Sequence, residues 1–171
     1  MSEPSQPETN LKLLGAGDAF RQELLVMMAG VDMLAHLHGH ELTVLADYLQ
    51  AFKADAGCVI FKEGEAGDFM CFLVSGRIRT YKESDQERSA EVSIETHGRS
   101  IGEMALIDGE PRSATCIAAA PTVLLLLTKK GFMKLADKHA ALALKLLVRI
   151  TRLMSRRLRM TSGRLVDYLD G

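Results

Sequence analysis

Residues 101–115 read IGEMALIDGEPRSAT, and they place the carboxylate of Glu103 nine residues before the guanidinium of Arg112. Small and apolar residues after Glu103 predict one turn of helix, whereas Gly109 and Pro111 predict a reversal of the chain. Gly102 permits close approach of the backbone to a ligand, so the free amides of the helical turn can point at an anion. The planar guanidinium of Arg112 can hold two oxygens of a phosphate at once.

Glu103 is the unexpected member of this stretch, because a carboxylate repels phosphate. Its presence is explained if a hydroxyl of the same ligand donates a hydrogen bond to it. A ribose that carries a cyclic 3′,5′-phosphate has one free hydroxyl, at the 2′ position, so a cyclic nucleotide accounts for both charges. The alternative interpretation is a surface ion pair between Glu103 and Arg112 beside a Gly–Pro turn.

Short apolar or alternating segments, separated by turn residues, lie on both sides of this stretch. They cover residues 58–61, 69–74, 77–81, 90–96, 114–119 and 123–128. Short strands at this spacing predict an antiparallel sandwich, jelly roll or barrel. Helical apolar spacing precedes them in residues 20–50 and follows them in residues 130–138 and 140–169.

The order of these segments predicts a single domain. We interpret residues 1–19, which are rich in Ser, Pro, Glu, Gln and Gly, as a mobile tail. Residues 20–169 form the domain, with helices in 20–50, a β-roll in 51–128 and C-terminal helices in 130–169. Because the β-roll separates the first helices from the last, we expect the two groups to pack together on its outside.

Composition limits the class of protein. The chain has 171 residues, 47% of them hydrophobic, and a formal net charge of −1, which suits a folded domain and disfavours a general nucleic-acid binder. No apolar run reaches the roughly 18 residues that span a bilayer, and residues 1–10 lack the basic and apolar regions of a signal peptide. Cys58, Cys71 and Cys116 are widely spaced, which indicates reduced thiols. We therefore expect a cytoplasmic protein without a membrane segment.

The long C-terminal helix carries two apolar stripes. One consists of Leu142, Leu146, Leu153 and Met160, and the other of Leu147, Ile150, Met154, Leu158, Thr161, Leu165 and Tyr168. A helix that is apolar on two sides must bury both. One stripe can lie on the β-roll, and the same helix of a second copy covers the other most economically, so we predict a homodimer through this helix. The alternative is a monomer with one broad apolar face.

The pattern Gly102-Glu103-x-Ala105-Leu106, followed by Pro111-Arg112-x-Ala114-Thr115, resembles the phosphate-binding cassette of the cyclic nucleotide-binding domain family. The likeness continues in residues 57–76, which look like the opening strands of that family, and in residues 130–159, which look like its final helices. The resemblance implies a mainly β fold, an eight-stranded antiparallel jelly-roll barrel with flanking N-terminal helices and a long C-terminal helix. It also implies that Glu103 holds the ribose 2′-hydroxyl, while Arg112, Ala105 and Ser113 hold the phosphate. Gly102 and Met104 complete this candidate binding site.

A second resemblance lies in the last helix. The segment Arg156-Arg157-Leu158-Arg159-Met160-Thr161-Ser162 is similar to the dimer helix of the bacterial catabolite activator proteins within that family. It implies that Thr161 and Ser162 contact the base, with Ser162 reaching across from the other subunit, and that Val92 and Ser93 line the base side of the pocket. Hydroxyls can accept a hydrogen bond from the amine of adenine, so we predict 3′,5′-cyclic AMP as the ligand. They can also donate to the carbonyl of guanine, which leaves cyclic GMP as an alternative.

These features predict a sensor rather than a transcription regulator. No helix-turn-helix motif follows the long helix, so we expect a stand-alone sensor module that signals through its dimer helix to an unknown downstream protein, without direct DNA binding. The arginines of that helix are interpreted as a solvated face: Arg149, Arg152, Arg156, Arg157, Arg159 and Arg164. Two other functions stay open, a dimeric interaction scaffold that binds no ligand and an effector of cyclic di-GMP, whose two phosphates call for a second arginine.

Neither a metal site nor catalysis is predicted. His36, His38 and His40 alternate, but they precede every predicted strand, and Val44 stands where a zinc-protease helix needs its second histidine. The chain has no Ser-x-x-Lys motif and no Walker-type loop. We therefore expect a protein that is not an enzyme and that holds no metal or cofactor.

Overall fold

The structure of the protein, a computed structural model, describes residues 11–83 and 89–169, apart from the side chains of Ser89, Arg164 and residues 166–169. Residues 1–10 of the predicted tail, and the side chains of Arg164 and Tyr168 on the predicted helix faces, therefore lie outside the described part. The strands are β1 (Lys12–Ala16), β2 (Leu49–Ala54), β3 (Val59–Phe61), β4 (Phe69–Ser75), β5 (Arg77–Glu83), β6 (Ser89–Thr96), β7 (Ser100–Ile101), β8 (Thr115–Ala118) and β9 (Thr122–Thr128). The α-helices are α1 (Arg21–Ala29), α2 (Gly39–Ala46), α3 (Glu103–Asp108), α4 (Lys129–Lys138) and α5 (Ala140–Leu169).

Two antiparallel sheets form the body of the domain. One has five strands in the order β1-β2-β9-β4-β7, and the other has four in the order β3-β8-β5-β6. The mainly antiparallel β fold with flanking helices is thus confirmed. The strand count and closure differ from the expected eight-stranded barrel, because the described residues form nine strands and no ladder among them joins the two sheets.

The additional strand, β1, lies in the segment that the sequence interpretation assigned to a mobile tail. It pairs with β2 from Lys12, opposite Lys53, to Ala16, opposite Gln50. The tail prediction is therefore wrong for residues 12–16. The sequence signal was weak because this edge strand does not alternate: the adjacent residues Leu13 and Leu14 are both more than 40% exposed, so backbone pairing rather than burial defines the strand.

Two strands at the centre of the five-stranded sheet are buried on both faces. On β9, Leu124 and Leu126 enter the core between the two sheets, whereas Leu125 and Leu127 enter the core between the sheet and the helices. β4 alternates in the same way along residues 69–73. Side chains from α1, α2, α4 and α5 all join the second core, so the first and last helices pack together on the outside of the sheet as expected.

The apolar faces of α5 differ from the two predicted stripes. Leu142, Leu146 and Ile150 are buried in the same core, and Met154 packs against it, so members of both predicted stripes face the domain. Further along the helix Leu158 and Leu165 are exposed, at 68% and 58%. The predicted dimer stripe is therefore buried in its first half and free in its second, because α1, α2 and α4 cover only the beginning of α5.

The described part of the chain contains no helix of the length and hydropathy that would let it cross a membrane.

Candidate functional site

The cassette is a short helix held between two glycines. Gly102 precedes α3 with φ 76° and Gly109 follows it with φ 74°, a left-handed conformation that favours glycine at both ends. A Cβ atom on Gly102 would lie 2.6 Å from Nη1 of Arg112. Glu103 and Ala105 are buried, while Met104 is 47% exposed. The cassette therefore depends on glycine at position 102, because any side chain there would displace the guanidinium.

Arg112 is an almost fully buried cation, 3% exposed. Its Cζ lies 4.1 Å from the ring centroid of Phe61 and 4.4 Å from that of Phe69, and its Nη1 donates to the carbonyl oxygen of Gly102 at 3.1 Å. Its Nε and Nη2 are buried without a hydrogen-bond partner in the described residues. Burial lowers the pKa of this guanidinium from its usual value. Buried charged donors without acceptors are costly, so this arrangement suits an anionic ligand.

The turn between β3 and β4 fixes the position of Arg112. The amide of Arg112 donates to the carbonyl of Glu65 at 2.8 Å, and its carbonyl accepts from the amide of Gly64 at 2.9 Å. At Gly67 a Cβ atom would overlap Ala105 and approach Nε of Arg112 to 3.0 Å. The sequence interpretation treated this segment only as a turn and missed its supporting role, although its two closely spaced glycines were visible.

Glu103, 2% exposed, has two carboxylate oxygens in different environments. Oε1 accepts a hydrogen bond from Nη1 of Arg157 on α5, whereas Oε2 is buried without a partner in the described residues. Nη2 of Arg157 also donates to the carbonyl of Ser100 at 2.9 Å and lies 3.3 Å from Oε1 of Glu95. Burial raises the pKa of the Glu103 carboxyl, and the charge of Arg157 opposes that rise. The interpretation of Arg157 as part of a solvated face is therefore wrong.

The structure gathers six of the ten candidate residues in the cassette: Gly102, Glu103, Met104, Ala105, Arg112 and Ser113. Ser113 is exposed, and its Oγ lies 3.6 Å from Sδ of Met104. The other four lie outside this cluster. On β6, Val92 is 45% exposed and Ser93 is half-buried opposite Thr80.

Thr161 and Ser162 are exposed on α5. The hydroxyl of Thr161 donates to the carbonyl of Arg157 at 3.0 Å, one helical turn earlier. In this arrangement α5 reaches the cassette through Arg157, and the two predicted base contacts lie a turn or so beyond it, about 6 Å along the helix.

The cysteines and the His36 side chain show no arrangement typical of catalysis or metal binding in the described residues. Burial raises the pKa of the Cys116 thiol to about 11, and the three cysteines are free and buried. Nδ1 of His36 accepts from Nε of Arg149 at 3.0 Å, which joins the chain before α2 to α5. No group of three His, Cys, Asp or Glu side chains suited to a metal occurs in the described residues.

Residues 98–102 read GRSIG, which matches the letters of the Gly-x-Ser-x-Gly elbow of serine hydrolases, although the sequence interpretation counted this motif as absent. Ser100 lies inside β7 rather than on a strand-to-helix turn, it is fully buried, and its Oγ has no hydrogen-bond partner in the described part. No base activates this hydroxyl, so the match does not indicate a nucleophile.

Solved structures share this architecture. A cyclic nucleotide-binding domain from Methylobacillus flagellatus superimposes with a TM-score of 0.81 at 28% identity, over 93% of this chain and 89% of that one. The catabolite activator protein of Thermus thermophilus gives a TM-score of 0.71 at 25% identity, over 81% of this chain and 63% of that one.

Curated relatives agree with the structural likeness. A cyclic nucleotide-gated potassium channel of Mesorhizobium japonicum is 36% identical over 127 residues, which are 74% of this chain and 33% of the channel. A cAMP-dependent protein kinase regulatory subunit of Aspergillus fumigatus is 33% identical over 105 residues, which are 61% of this chain and 25% of that subunit. The chain thus spans only a quarter to a third of the length of these relatives.

The fold and the cassette define a ligand-binding regulatory domain, built around a buried arginine and a buried glutamate. The family model described as "Cyclic nucleotide-binding domain" matches residues 51–139, just over half of the chain. The protein therefore belongs to the cyclic nucleotide-binding domain family, and the resemblance noted in the sequence is confirmed.

Proposed function

We propose that this chain is a sensor that binds a 3′,5′-cyclic nucleotide in the cassette. The observation that carries the proposal is a pair of buried, incompletely satisfied charges: among the described residues, Nε and Nη2 of Arg112 have no acceptor and Oε2 of Glu103 has no donor. A cyclic phosphate supplies acceptors for Arg112 and for the amides around α3. The 2′-hydroxyl of the ribose supplies a donor for Glu103. One ligand thereby satisfies both buried groups.

We propose cyclic AMP as the nucleotide. Thr161 and Ser162 carry hydroxyls that can accept from the amine of adenine. A relative named as a cAMP-dependent kinase regulatory subunit supports this choice. Cyclic GMP is the alternative, because the same hydroxyls can donate to the carbonyl of guanine.

Cyclic di-GMP is a weaker candidate on the structure of the site. Its second phosphate needs a second free arginine, and Arg157, which contacts the cassette, is already engaged by Glu95 and Glu103. A scaffold without a ligand is also disfavoured, since it would retain the two free donors of Arg112 at a cost to stability.

A ligand panel tests these choices. We expect titration calorimetry to detect cyclic AMP binding, weaker cyclic GMP binding and no binding of cyclic di-GMP. A ligand at 100 times its dissociation constant should also stabilise the fold by about 2.7 kcal/mol in thermal unfolding. If none of the three ligands binds, the ligand-free scaffold is the better account.

We further propose that α5 transmits the signal and joins two copies. Four of its exposed apolar residues, Leu144, Val148, Leu158 and Leu165, have the spacing of one heptad seam, whereas exposed Met160 lies beside it. Thr151, Ser155 and Ser162 occupy the remaining positions of that seam and are small enough to let a second helix approach. This seam replaces the predicted stripe, whose first half is buried.

Light scattering on two matched variants tests the dimer. We expect Leu158→Glu to give a monomer, because it places a charge in the seam. Val26→Glu, at a residue of α1 that is 77% exposed, should leave the mass unchanged. A Leu158→Glu protein that keeps the mass of a dimer would assign the interface to another surface.

A reducing compartment such as the cytoplasm remains our proposal for the location of the protein, in line with its three free cysteines.

A further inference from the structure

Arg157 of α5 lies between two carboxylates that belong to different elements. Nη1 donates to Glu103 at the start of α3, and Nη2 lies 3.3 Å from Oε1 of Glu95 on β6. The carbonyl of Ser100 accepts from the same Nη2 at 2.9 Å. One guanidinium therefore joins the long helix, the cassette and the four-stranded sheet at a single point.

Glu95 faces the inside of the roll. It lies opposite Ile78, which is fully buried in the core between the sheets, and the Glu95 side chain is 16% exposed. The other acid near the middle of β6, Glu91, is 38% exposed and lies 3.4 Å from Arg79. Two glutamates on one strand thus have different partners: one faces the site and the other faces solvent.

The two oxygens of Glu103 can serve two partners at once. Arg157 occupies Oε1, and Oε2 stays free for a ligand hydroxyl, so a ribose can bind without displacing Arg157. The hydroxyl needs an acceptor, which is what an ionised carboxylate provides. Without a neighbouring cation, however, a carboxylate buried to this degree takes up a proton, and its hydroxyl form is a poorer acceptor.

Arg157 needs help to stay in place. Its side chain is 35% exposed, so water competes for its donors and a single exposed ion pair contributes little. Nη2 contacts Glu95 and the carbonyl of Ser100, and these contacts orient Nη1 toward Glu103. A guanidinium held through two of its nitrogens has a fixed direction as well as a larger interaction energy.

We propose that Glu95 is a positioning residue: it holds Arg157 on Glu103, keeps that carboxylate ionised with one oxygen open to the ligand, and so couples ligand binding to the docking of α5. The inference rests on the proposed cyclic nucleotide site, and it identifies the contacts that link this site to α5. Coupling of this kind is reciprocal. A ligand hydroxyl bound to Oε2 stabilises the ionised form of Glu103, and the ionised form binds Arg157 more strongly. Conversely, Arg157 bound to Glu103 increases the affinity for the ligand.

A double-mutant cycle with cyclic AMP as the probe tests the proposal. The variants are Glu95→Gln, Arg157→Gln and the two combined, with Glu91→Gln as the matched control on the same strand. We expect Glu95→Gln to weaken binding about 3- to 10-fold, the scale of a lost hydrogen bond. We expect Arg157→Gln to weaken it at least as much, the double variant to match Arg157→Gln alone, and Glu91→Gln to stay within about twofold.

Two further readouts separate positioning from a general structural role. Hydrogen exchange of α5 around residues 153–161 should slow on ligand binding in the wild type and in Glu91→Gln but not in Glu95→Gln. The affinity of Arg157→Gln should fall more steeply than that of the wild type as the pH is lowered, because burial raises the pKa of Glu103 and the charge of Arg157 no longer opposes that rise. The groups that face Glu103 in this titration are Arg157, Glu95, Cys71 of β4 and Cys116 of β8, with Arg112 beneath Gly102.

The outcomes are distinguishable. If the wild type binds cyclic AMP and Glu95→Gln binds it equally well, or if the effects of Glu95→Gln and Arg157→Gln simply add, the positioning role of Glu95 is wrong while the proposed function stands. If the wild type and Glu91→Gln bind no cyclic nucleotide at all, the proposed function is wrong and this inference with it.

Discussion

The two ends of the cassette differ in what completes them. At the Arg112 end, the rings of Phe61 and Phe69 and the turn after β3 come from the β-roll, and α5 contributes no described hydrogen bond to that side chain. At the Glu103 end, the partner is Arg157 of α5. The first end can therefore hold an anion whatever the position of α5, whereas the second end depends on it. We therefore expect the Arg112 end to supply the larger part of the affinity for the ligand, and the Glu103 end to link ligand binding to α5.

The largest effect is expected from the end that the β-roll builds alone. Arg112→Ala should weaken cyclic nucleotide binding by roughly 2–5 kcal/mol, because the phosphate would be left desolvated and unpaired. Calorimetry measures this loss, and Arg99→Ala, at an exposed arginine just before β7, serves as the control. Equal affinities for the wild type and Arg112→Ala would show that Arg112 does not bind the phosphate.

A smaller loss of ligand affinity is expected at the Glu103 end, which is completed by Arg157 of α5. Glu103→Ala should weaken binding by roughly 1.5–3 kcal/mol, the range for a hydrogen bond to a charged group. Unlike Arg112→Ala, it should also speed hydrogen exchange in α5 of the ligand-free protein, since Arg157 loses one of its two carboxylates. Exposed Glu110, on the loop after α3, offers Glu110→Ala as a control. Unchanged exchange in Glu103→Ala would contradict the division between the two ends.

The junction of the two ends is Gly102, and its replacement should lower stability. Gly102→Ala combines a left-handed φ with a Cβ atom 2.6 Å from Nη1 of Arg112, so we expect a loss of roughly 2–3 kcal/mol. For a chain of this size that corresponds to a fall in Tm of about 4–12 °C in calorimetric unfolding.

Gly57→Ala provides the comparison for this junction, because Gly57 has φ 83° but nothing within 4 Å of a Cβ atom. It should lose less stability than Gly102→Ala, and the difference measures the contact with Arg112. Adding Arg112→Ala to Gly102→Ala should restore part of the Tm. A Gly102→Ala protein as stable as Gly57→Ala would show that the guanidinium moves without cost.

The smallest effect concerns another contact between α5 and the domain, the ion pair of Lys145 with Glu41. Hydrogen bonds from the backbone of His38 and from Lys145 lower the pKa of the Glu41 carboxyl to about 2. Because this pKa is depressed in the folded protein, Glu41 stabilises the fold above its ordinary pKa near 4.5, and the contribution is lost as the pH falls toward 2. The difference in Tm between the wild type and Glu41→Gln should therefore be present at pH 6 and disappear toward pH 2. A difference that grows as the pH falls would contradict this assignment.

The charged residues of the cassette were predictable from the sequence because they are neighbours along the chain, unlike the rings and the turn that support Arg112. Gly102, Glu103 and Arg112 lie within one short stretch, and their order reproduces a known pattern. The contact between Glu103 and Arg157 spans 54 residues, and nothing in the charge of Arg157 distinguished it from exposed arginines on the same helix. Only packing decides which arginine faces the cassette.

The faces of α5 were mispredicted for a related reason. Both apolar stripes have helical spacing, and spacing alone does not say where a neighbouring element ends. The structure places α1, α2 and α4 against residues up to about Met154, so Ile150 is buried and Leu158 is not. The prediction of strands did better, since six of the nine described strands have their own local pattern, but it missed β1, β2 and β7, and it placed the first residues of β2 in a helix.

The leucine run of β9 has a consequence for the order of synthesis. β9 lies between β2 and β4 in the five-stranded sheet, and it is the last strand along the described chain. Until the ribosome has released residues 122–128, β2 and β4 have no strand between them and keep unpaired backbone edges. The nascent chain therefore cannot complete this sheet before β9 has been synthesised. A stall before β9 would leave two exposed edges ready to pair with other chains.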